Sequence, residues 1–206
     1  MITIWGRNTS SNVQKVLWLC EEIGLKFDRK DVGGALGGLD TPQFMALNPN
    51  KSIPVIEDSG TVVWESHAIL RFLAATHGPD DIYPAKPAAR ALVEQWLDWH
   101  LGTLAPAITP VFLACFRTPA AARNEAELAR QVAHLTAAMT LLDREIAGRA
   151  YIAGDKLTIA DVAFGNSIWR WFAFPFSRPK LPNLEVWQAR VAERPGHRMH
   201  IAQPVS

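Results

Sequence analysis

The apolar positions of the first 78 residues change their period several times, which is typical of a domain that alternates strands and helices. Residues 2–5 and 27–32 suit strands. Between them apolar side chains recur at helical spacing, and the pattern ends at Gly24, where a helix C-cap is expected. These positions are Val13, Val16, Leu17, Cys20 and Ile23. Two strands joined through a helix run parallel, so the pattern predicts a βαβ unit.

The residues that follow predict a hairpin and another helix. The segments SIPVIED and TVVWE suit two strands, and Ser59-Gly60 between them suits the turn. A loop with a short helix precedes this hairpin, and a helix from Ser66 to about residue 77 follows it. The order βαβ-ββα predicts an α/β domain with a mixed four-stranded sheet.

From residue 87 onward the apolar patterns are helical. Residues 90–114 form one long segment in which Pro106 and Pro110 predict kinks or breaks. Residues 122–147 carry apolar side chains at alternating spacings of four and three, which is typical of a bundle helix. Two further helices are expected, one after Thr158 and one over residues 184–194.

A segment rich in Pro and Asp, HGPDDIYPAKPAA, separates the two kinds of pattern and is the natural linker. At 206 residues the chain is long enough for two small domains. We therefore expect the α/β domain over residues 1–78, the linker over 79–86 and an all-helical bundle over 87–206.

Charge and composition disfavour several classes of function. Lys and Arg number 21 and Asp and Glu 20, so the net charge of +1 gives no reason to expect nucleic acid or an acidic membrane surface as a partner. No apolar run approaches the roughly 18 residues of a membrane span, and the N-terminus lacks a signal-peptide layout, so a cytoplasmic protein is expected. Cys20 and Cys115 lie far apart in apolar helical patterns, which predicts buried thiols rather than a disulfide.

The start of the first helix carries the first candidate site. Five residues that can cap a helix stand in a row there, Asn8-Thr9-Ser10-Ser11-Asn12. One helix start needs only one of them. Either several of these residues cap the helix, or the turn also binds a ligand.

The pair Glu65-Ser66 stands where a strand ends and a helix begins. The first N–H groups of a helix are unpaired and carry partial positive charge, so they bind a carboxylate well. Ser66 can add a hydroxyl donor and Glu65 can pair with an ammonium group, which together match the α-amino-acid end of a ligand. The plainer alternative is that Ser66 is only an N-cap.

Pro54 lies at the start of a predicted strand and cannot donate to the sheet. It either opens the strand and does nothing more, or forms a cis Ile53–Pro54 bond. In the second case the backbone N–H and C=O of Ile53 are exposed to an extended peptide ligand.

The segment LTIADVAFG contains a helix start that folding alone explains. Thr158 and Asp161 match a capping box, and Leu157 and Val162 match the two positions of a hydrophobic staple. We assign this motif to the folding of the helical domain rather than to chemistry.

The serine-rich turn, NPNKSIP, ESHAI and LTIADVAFG occur in this order, and together they resemble the glutathione S-transferase superfamily, in particular bacterial serine-type members with a theta- or delta-like N-terminal motif. The resemblance covers nearly the whole chain. It implies a thioredoxin-like N-terminal domain, an all-helical C-terminal domain and a homodimer. It also implies glutathione as co-substrate, with no metal.

The resemblance assigns roles to single residues. Glu65 and Ser66 match the pair that holds the γ-glutamyl group of glutathione, and Ile53 before Pro54 matches the residue whose backbone pairs with the cysteinyl portion. Lys51 stands where delta-type members place a basic residue toward the glycine carboxylate, although many relatives carry their lysine one position later.

Ser10 aligns with the active-site serine of theta-, delta- and zeta-type members, and a slip of one residue would give that role to Ser11. Asn12 is left with capping or a supporting hydrogen bond. A free thiol has a pKa near ~8.5, and lowering it by about two units takes roughly 2.7 kcal/mol. A hydroxyl donor supplies about 1.5–3 kcal/mol and the helix N-terminus about 0.3–1 kcal/mol, so no general base is needed.

The turn also argues against related chemistries. Thiol–disulfide exchange of the glutaredoxin type needs a protein cysteine in this turn, and none is present. Zeta-type members carry a cysteine where Asn12 stands, so maleylacetoacetate-type isomerisation is less expected.

The second substrate is expected against an apolar wall of the helical domain. The candidates are Trp99, Leu104, Phe112, Phe116, Trp169 and Phe172, each of which could instead be bundle core. His100 and Arg117 could orient a polar or anionic substrate, or could have surface or capping roles.

The resemblance therefore implies a detoxifying transferase that stabilises the glutathione thiolate and directs it at a small hydrophobic electrophile. The alternatives are a glutathione-dependent peroxidase, dehalogenase or isomerase that uses the same site, or a non-enzymatic binding module.

Overall fold

The structure, a computed structural model, describes residues 1–204, and the last two residues of the expected helical domain lie outside the described residues. Its first part contains a four-stranded sheet in the order β2-β1-β3-β4. The strands are β1 Ile2–Trp5, β2 Phe27–Lys30, β3 Val55–Asp58 and β4 Thr61–Trp64. β1 is parallel to β2 and antiparallel to β3, and β3 is antiparallel to β4. The predicted mixed sheet is confirmed.

The helices of this part are α1 Ser11–Glu22, α2 Pro42–Leu47 and α3 Ser66–His77. Gly24 follows α1 with φ 65°, and the N–H of Leu25 donates to the carbonyl of Cys20, as expected of a glycine that ends a helix. In the hairpin turn Ser59 and Gly60 have φ 51° and 87°, a pair of positive values that matches the twist of two-residue hairpins.

The second part is helical throughout its regular elements. Its helices are α4 Pro87–Trp99, α5 Ala105–Phe116, α6 Glu125–Glu145, α7 Ile159–Ala173, α8 Pro182–Ala192 and α9 Pro195–His200. The short α9 was not predicted, because six residues that open on a proline carry too little periodicity to be recognised. It nevertheless packs against α1 and so helps to place the serine-rich turn.

Of the kinks or breaks predicted at Pro106 and Pro110, the breaks are wrong, and the kinks stay a prediction. α4 continues through a π-helical turn, His100–Leu104, into α5, and Pro110 lies inside α5. The wider π turn stands directly before Pro106, where a proline ring would otherwise meet the preceding turn. By length and composition the run Pro87–Phe116 could cross a membrane, but in this fold it is a helix of the bundle.

α1 connects the two parts of the molecule through Trp18. This side chain is fully buried and fits against two glycines of the helical part. A Cβ atom on Gly165 of α7 would lie 2.4 Å from Trp18 Cζ3, and one on Gly196 of α9 would lie 2.7 Å from Trp18 Cδ1. Trp18 Nε1 also donates to Glu22, which pairs with Arg194. The helix that starts at the serine-rich turn is therefore held by both parts of the chain.

The capping box at the start of α7 is confirmed, and its acid does more than cap. The fully buried Asp161 accepts from the N–H of Thr158 through one oxygen. Through the other oxygen it accepts from the N–H of Ile152 and from Trp187 Nε1, both at 2.8 Å. One carboxylate thus joins the loop before α7, the start of α7 and the middle of α8.

Both cysteines are free thiols. Cys20 is buried as predicted, and burial raises its pKa to about 12, so it is inert as a nucleophile. Cys115 is only half-buried, because it lies on a side of α5 that the bundle does not fully cover.

Candidate functional site

The serine-rich turn lies between the end of β1 and the start of α1. Gly6 lets the two elements approach, since it has φ 149° and a Cβ atom there would lie 2.5 Å from Val13 Cγ2. Ser10 is the N-cap residue of α1, but its hydroxyl accepts no hydrogen bond from the first helical turn. The turn therefore presents, at the positive end of a helix, a hydroxyl that capping does not use.

The two residues after Ser10 are tied to other elements. The carbonyl of Ser11 accepts from Asn166 Nδ2 of α7 at 3.3 Å. Asn12 Oδ1 accepts from Lys15 Nζ at 3.1 Å and from the Ser66 hydroxyl at 3.4 Å. Asn12 thus makes a supporting hydrogen bond, and the choice between Ser10 and Ser11 as thiolate donor stays a prediction.

Glu65 and Ser66 lie beside this turn although 54 residues separate Ser66 from Asn12. The alternative that Ser66 is a plain N-cap is wrong: Glu65 is the N-cap residue of α3, and Ser66 is its first helical residue. Glu65 has φ 69°, a conformation that non-glycine residues adopt at a cost of about 1–3 kcal/mol and mainly at functional sites. Its side chain is exposed, while that of Ser66 is buried with its hydroxyl toward Asn12.

The bond between Ile53 and Pro54 is cis, which is the second of the two alternatives drawn from the sequence. β3 begins only at Val55, so Ile53 precedes the sheet ladder. Its side chain packs against the backbone of Gly6, where an added Cβ atom would lie 3.3 Å from Ile53 Cβ. Ile53 therefore lies next to the segment that leads into the serine-rich turn.

Lys51 lies farther out on the surface. Its Nζ is 2.7 Å from Asp40 Oδ1, and both side chains are exposed. Exposed pairs of this kind contribute little, about 0–1 kcal/mol, so the ammonium group can leave Asp40 for a ligand carboxylate at small cost. Its predicted contact with the glycine end of glutathione stays a prediction.

Lys15 is a feature of the site that sequence reasoning missed. Its side chain is 4% exposed, and burial, followed by the charge of Arg170, lowers its pKa to about 7. The missed signal is Trp18 and Leu19, apolar residues that lie outside the helical stripe of α1. They indicate that a second face of α1 is buried, and Lys15 lies on that face.

Two buried imidazoles lie near Lys15. The rings of His67 and His100 are 5.0 Å apart, and His100 Nε2 is 3.0 Å from the Ser167 hydroxyl. Burial and the charge of Lys15 lower the pKa of His67 to about 3 and hold that of His100 well below its usual range. Both rings are thus neutral at pH 7, and the surface or capping role considered for His100 is wrong because the side chain is buried.

Replacing Lys15 with methionine is expected to remove a pH dependence of stability. At pH values below 7 the folded and unfolded chains both bind the lysine proton, and the folded chain bears the full cost of a buried ammonium. Between pH 7 and 10.5 only the unfolded chain binds it, so the free energy of unfolding rises with pH, by roughly 1 kcal/mol per unit. Urea titrations over this range should show the rise in the wild type and not in Lys15→Met.

The exposed Lys26→Met is the matched control for that experiment. It removes the same charge from a solvated position, so its pH profile should follow the wild type. A Lys15→Met profile parallel to the wild type would contradict the lowered pKa.

The six residues expected around the second substrate separate into different surroundings. Leu104 is fully buried core, and Trp99 stacks on Phe164 and lines a groove of about 270 Å³ with Leu141. The ring centroids of Phe112 and Phe116 lie 5.7 Å apart. Phe172 is half-buried, and its ring lies beside the guanidinium group of Arg178. Trp169 is the member of this set that lines a cavity together with Thr9 and Gln14, at the serine-rich turn. Its Nε1 donates to the carbonyl of Gln203 at 2.9 Å.

A larger groove adjoins the Trp169 cavity and shares Thr9, Gln14 and Gln203 with it. Its volume is about 320 Å³, and the other side is lined by Met199 and His200 at the end of α9. A space of this size next to the turn can take a small organic molecule.

Comparison with family models gives two matches. Residues 9–76 match the N-terminal domain of glutathione S-transferases, and residues 104–195 match the C-terminal domain. Among curated proteins, glutathione S-transferase GstB of Escherichia coli strain K12 is 36% identical over the whole of both chains. Glutathione S-transferase D7 of Drosophila melanogaster is 34% identical over 82% of this chain and 74% of its own.

Solved structures agree with these matches. A theta class glutathione S-transferase from Xanthomonas axonopodis pv. citri with glutathione bound has a TM-score of 0.94 and 40% identity, covering 100% of this chain and 99% of that one. A delta-class glutathione transferase from Nilaparvata lugens has a TM-score of 0.87 and 29% identity, covering 98% and 93%.

Proposed function

The chain belongs to the glutathione S-transferase family, and from this premise we propose that it binds glutathione, stabilises its thiolate and directs that thiolate at a small hydrophobic electrophile. The observation that carries the proposal is the Ser10 hydroxyl, which lies at the N-terminus of α1 and is not used for capping. An anionic sulfur at this point accepts a hydrogen bond from the hydroxyl and is also attracted by the partial positive charge at the N-terminus of α1. Both interactions stabilise the thiolate.

The hydrogen bonds of the turn support the same proposal. Asn12 accepts from Ser66 and from Lys15, so the start of α1 and the start of α3 are held together. Two helix N-termini thus lie side by side, one for a sulfur anion and one for a carboxylate. Two neighbouring helix N-termini suit a ligand that carries a carboxylate and a thiol in one extended chain, as glutathione does.

In the proposed reaction Ser10 donates a hydrogen bond to the sulfur and forms no bond to carbon. Ser66 and the first N–H groups of α3 bind the γ-glutamyl carboxylate, and the exposed Glu65 carboxylate binds its ammonium group. The backbone of Ile53 pairs with the cysteinyl portion, and Lys51 exchanges Asp40 for the glycine carboxylate. The electrophile is placed against the aromatic residues of the helical part.

Further parts of the proposal concern the molecule as a whole. We place the glutathione-binding domain at residues 1–78 and the helical domain at 87–206, joined by a linker at 79–86. We also propose a cytoplasmic homodimer. Large apolar side chains that remain exposed on β4 and α4 support self-association, namely Val62, Trp64 and Leu92.

Calorimetry with glutathione tests the proposal directly. The wild type should bind, and Ser66→Ala should raise the Kd about 10- to 100-fold, because the charge-assisted hydrogen bond it would remove contributes about 1.5–3 kcal/mol. Ser177→Ala, at an exposed serine, is the matched control and should leave the Kd unchanged. A wild type that shows no binding at millimolar glutathione would overturn the proposal. Turnover with an aryl chloride, a hydroperoxide and a haloacid then separates the transferase from the peroxidase and dehalogenase alternatives.

A further inference from the structure

Two arginines share one aromatic ring in the helical part. The guanidinium carbon of Arg170, on α7, lies 3.9 Å from the centroid of the Phe112 ring, and that of Arg117, at the end of α5, lies 5.5 Å from the same centroid. Arg170 is half-buried and Arg117 is exposed. The ring attracts both cations, but the two positive charges repel each other.

No carboxylate of residues 1–204 neutralises this pair. The arginines that form ion pairs in that range are Arg29, Arg71, Arg130, Arg144 and Arg194. Others donate to backbone carbonyls, as Arg178 does to Phe172 and Phe174. Arg170 has neither kind of partner within the described range, although its surroundings remove much of its water.

The lack of a partner has an electrostatic signature. Burial and the charge of Arg117 lower the pKa of Arg170 to about 10. Arg170 in turn contributes to the lowered pKa of Lys15. Arg170 thus lies within electrostatic reach of both Arg117 and Lys15, and such a cationic group favours an anion that binds at Arg170.

The position of Arg170 connects this group to the proposed sulfur site. One helical turn before it on α7, Asn166 donates to the carbonyl of Ser11. Arg170 itself lines the cavity that Thr9, Gln14 and Trp169 enclose, and this cavity adjoins the larger groove at the serine-rich turn. The cavity has a volume of about 20 Å³, which is room for one small polar group, so a molecule in the groove can extend an acid group toward Arg170.

We propose that the electrophile carries an acid group, most simply an aromatic carboxylate, and that Arg170, held on the Phe112 ring, binds it while Trp169 contacts its apolar body. This rests on the proposed transferase function and names the class of its second substrate. The guanidinium presents paired N–H donors that match the two oxygens of a carboxylate. Arg117 lies on the same ring and adds attraction at longer range.

Glutathione also carries carboxylates, so the source of the anion must be distinguished. The receptors proposed for its carboxylates, Ser66 at the start of α3 and Lys51, both lie in the first part of the chain, whereas Arg170 and Arg117 lie in the helical part. We therefore expect Arg170 to act on the electrophile and to leave the affinity for glutathione unchanged.

A pair of matched electrophiles tests the proposal: chlorodinitrobenzoate, with its carboxylate para to chlorine, and its neutral methyl ester. In both reactions the thiolate forms a carbon–sulfur bond, the carbon–chlorine bond breaks, and chloride leaves with the electron pair. The thiol proton passes to the solvent. The ester withdraws electrons more strongly and reacts faster with a thiolate in solution, so each kcat/KM is divided by the rate constant of the uncatalysed reaction with glutathione. On this scale the wild type should prefer the carboxylate. Arg170→Gln should lower kcat/KM for the carboxylate about 10- to 100-fold, mainly through KM, and change the ester by less than about threefold.

Arg198→Gln, at an exposed position of α9, is the matched control and should leave both reactions unchanged. Arg170→Lys should restore part of the preference, since it keeps the charge but loses the paired donors. Equal losses for carboxylate and ester, or a wild type without preference, would overturn the proposal. So would a raised Kd for glutathione in Arg170→Gln. Turnover of the ester and glutathione calorimetry report separately on the transferase function, so a failure of that function would be seen there.

Discussion

Ser10→Ala is expected to lower kcat/KM for a neutral aryl chloride roughly tenfold or more at pH 6, with a gap that closes above about pH 8.5. Removing a hydroxyl that donates to an anion forfeits about 1.5–3 kcal/mol, which raises the pKa of the bound thiol by roughly one to two units. At pH 6 this leaves little thiolate, whereas at alkaline pH the thiol ionises without help. The lost activity should therefore return as the pH rises.

Ultraviolet absorbance of bound thiolate, titrated from pH 5 to 9, measures the same shift without turnover. Ser11→Ala is the matched comparison, because it removes a neighbouring hydroxyl and keeps the Ser11 carbonyl that binds Asn166. A shifted titration in Ser11→Ala alone would assign the donor to Ser11. Unchanged titrations in both variants would contradict a serine-stabilised thiolate.

Asp161→Ala should be the most damaging substitution outside the site. It leaves the N–H groups of Ile152 and Thr158 and the indole N–H of Trp187 buried without an acceptor. Each such group costs about 1–3 kcal/mol, so we expect a loss of roughly 3–5 kcal/mol in the free energy of unfolding. In a chain of this size that corresponds to a Tm lower by roughly 6–20 °C.

Thermal and urea unfolding measure this effect, and Asp155→Ala is the control. Asp155 lies in the same region but is exposed, so its replacement should change Tm by no more than about 1–2 °C. An Asp161→Ala protein as stable as the wild type would mean that water or a shifted backbone replaces the carboxylate.

Most of the fold could be predicted from local signals in the sequence. Period and turn chemistry were enough for the βαβ-ββα order, for the turn at Ser59-Gly60 and for the capping box at Thr158, because each depends on residues close together in the chain. They did not predict the π turn before Pro106, since such a turn changes the helix without changing its hydrophobic pattern.

The candidate site was predictable only in its local parts. Ser10 and Glu65-Ser66 are visible as segment ends, and resemblance gave them roles. The cationic group could not be predicted, because α7 packs on α1 across more than 150 residues and places Arg170 near Lys15. No periodicity reports such a contact. The burial of Lys15 follows from the same packing.

The contact of Trp18 with Gly165 and Gly196 has a consequence for how such a chain can evolve. Recombination that exchanged the helical half for that of a relative would keep Trp18. It would not necessarily keep glycines at the two positions that face Trp18. A larger residue at either position would push on α1, and with it on the serine-rich turn at the start of that helix. The two halves of the gene are therefore expected to be inherited together, with the serine-rich turn as the part displaced first when they are not.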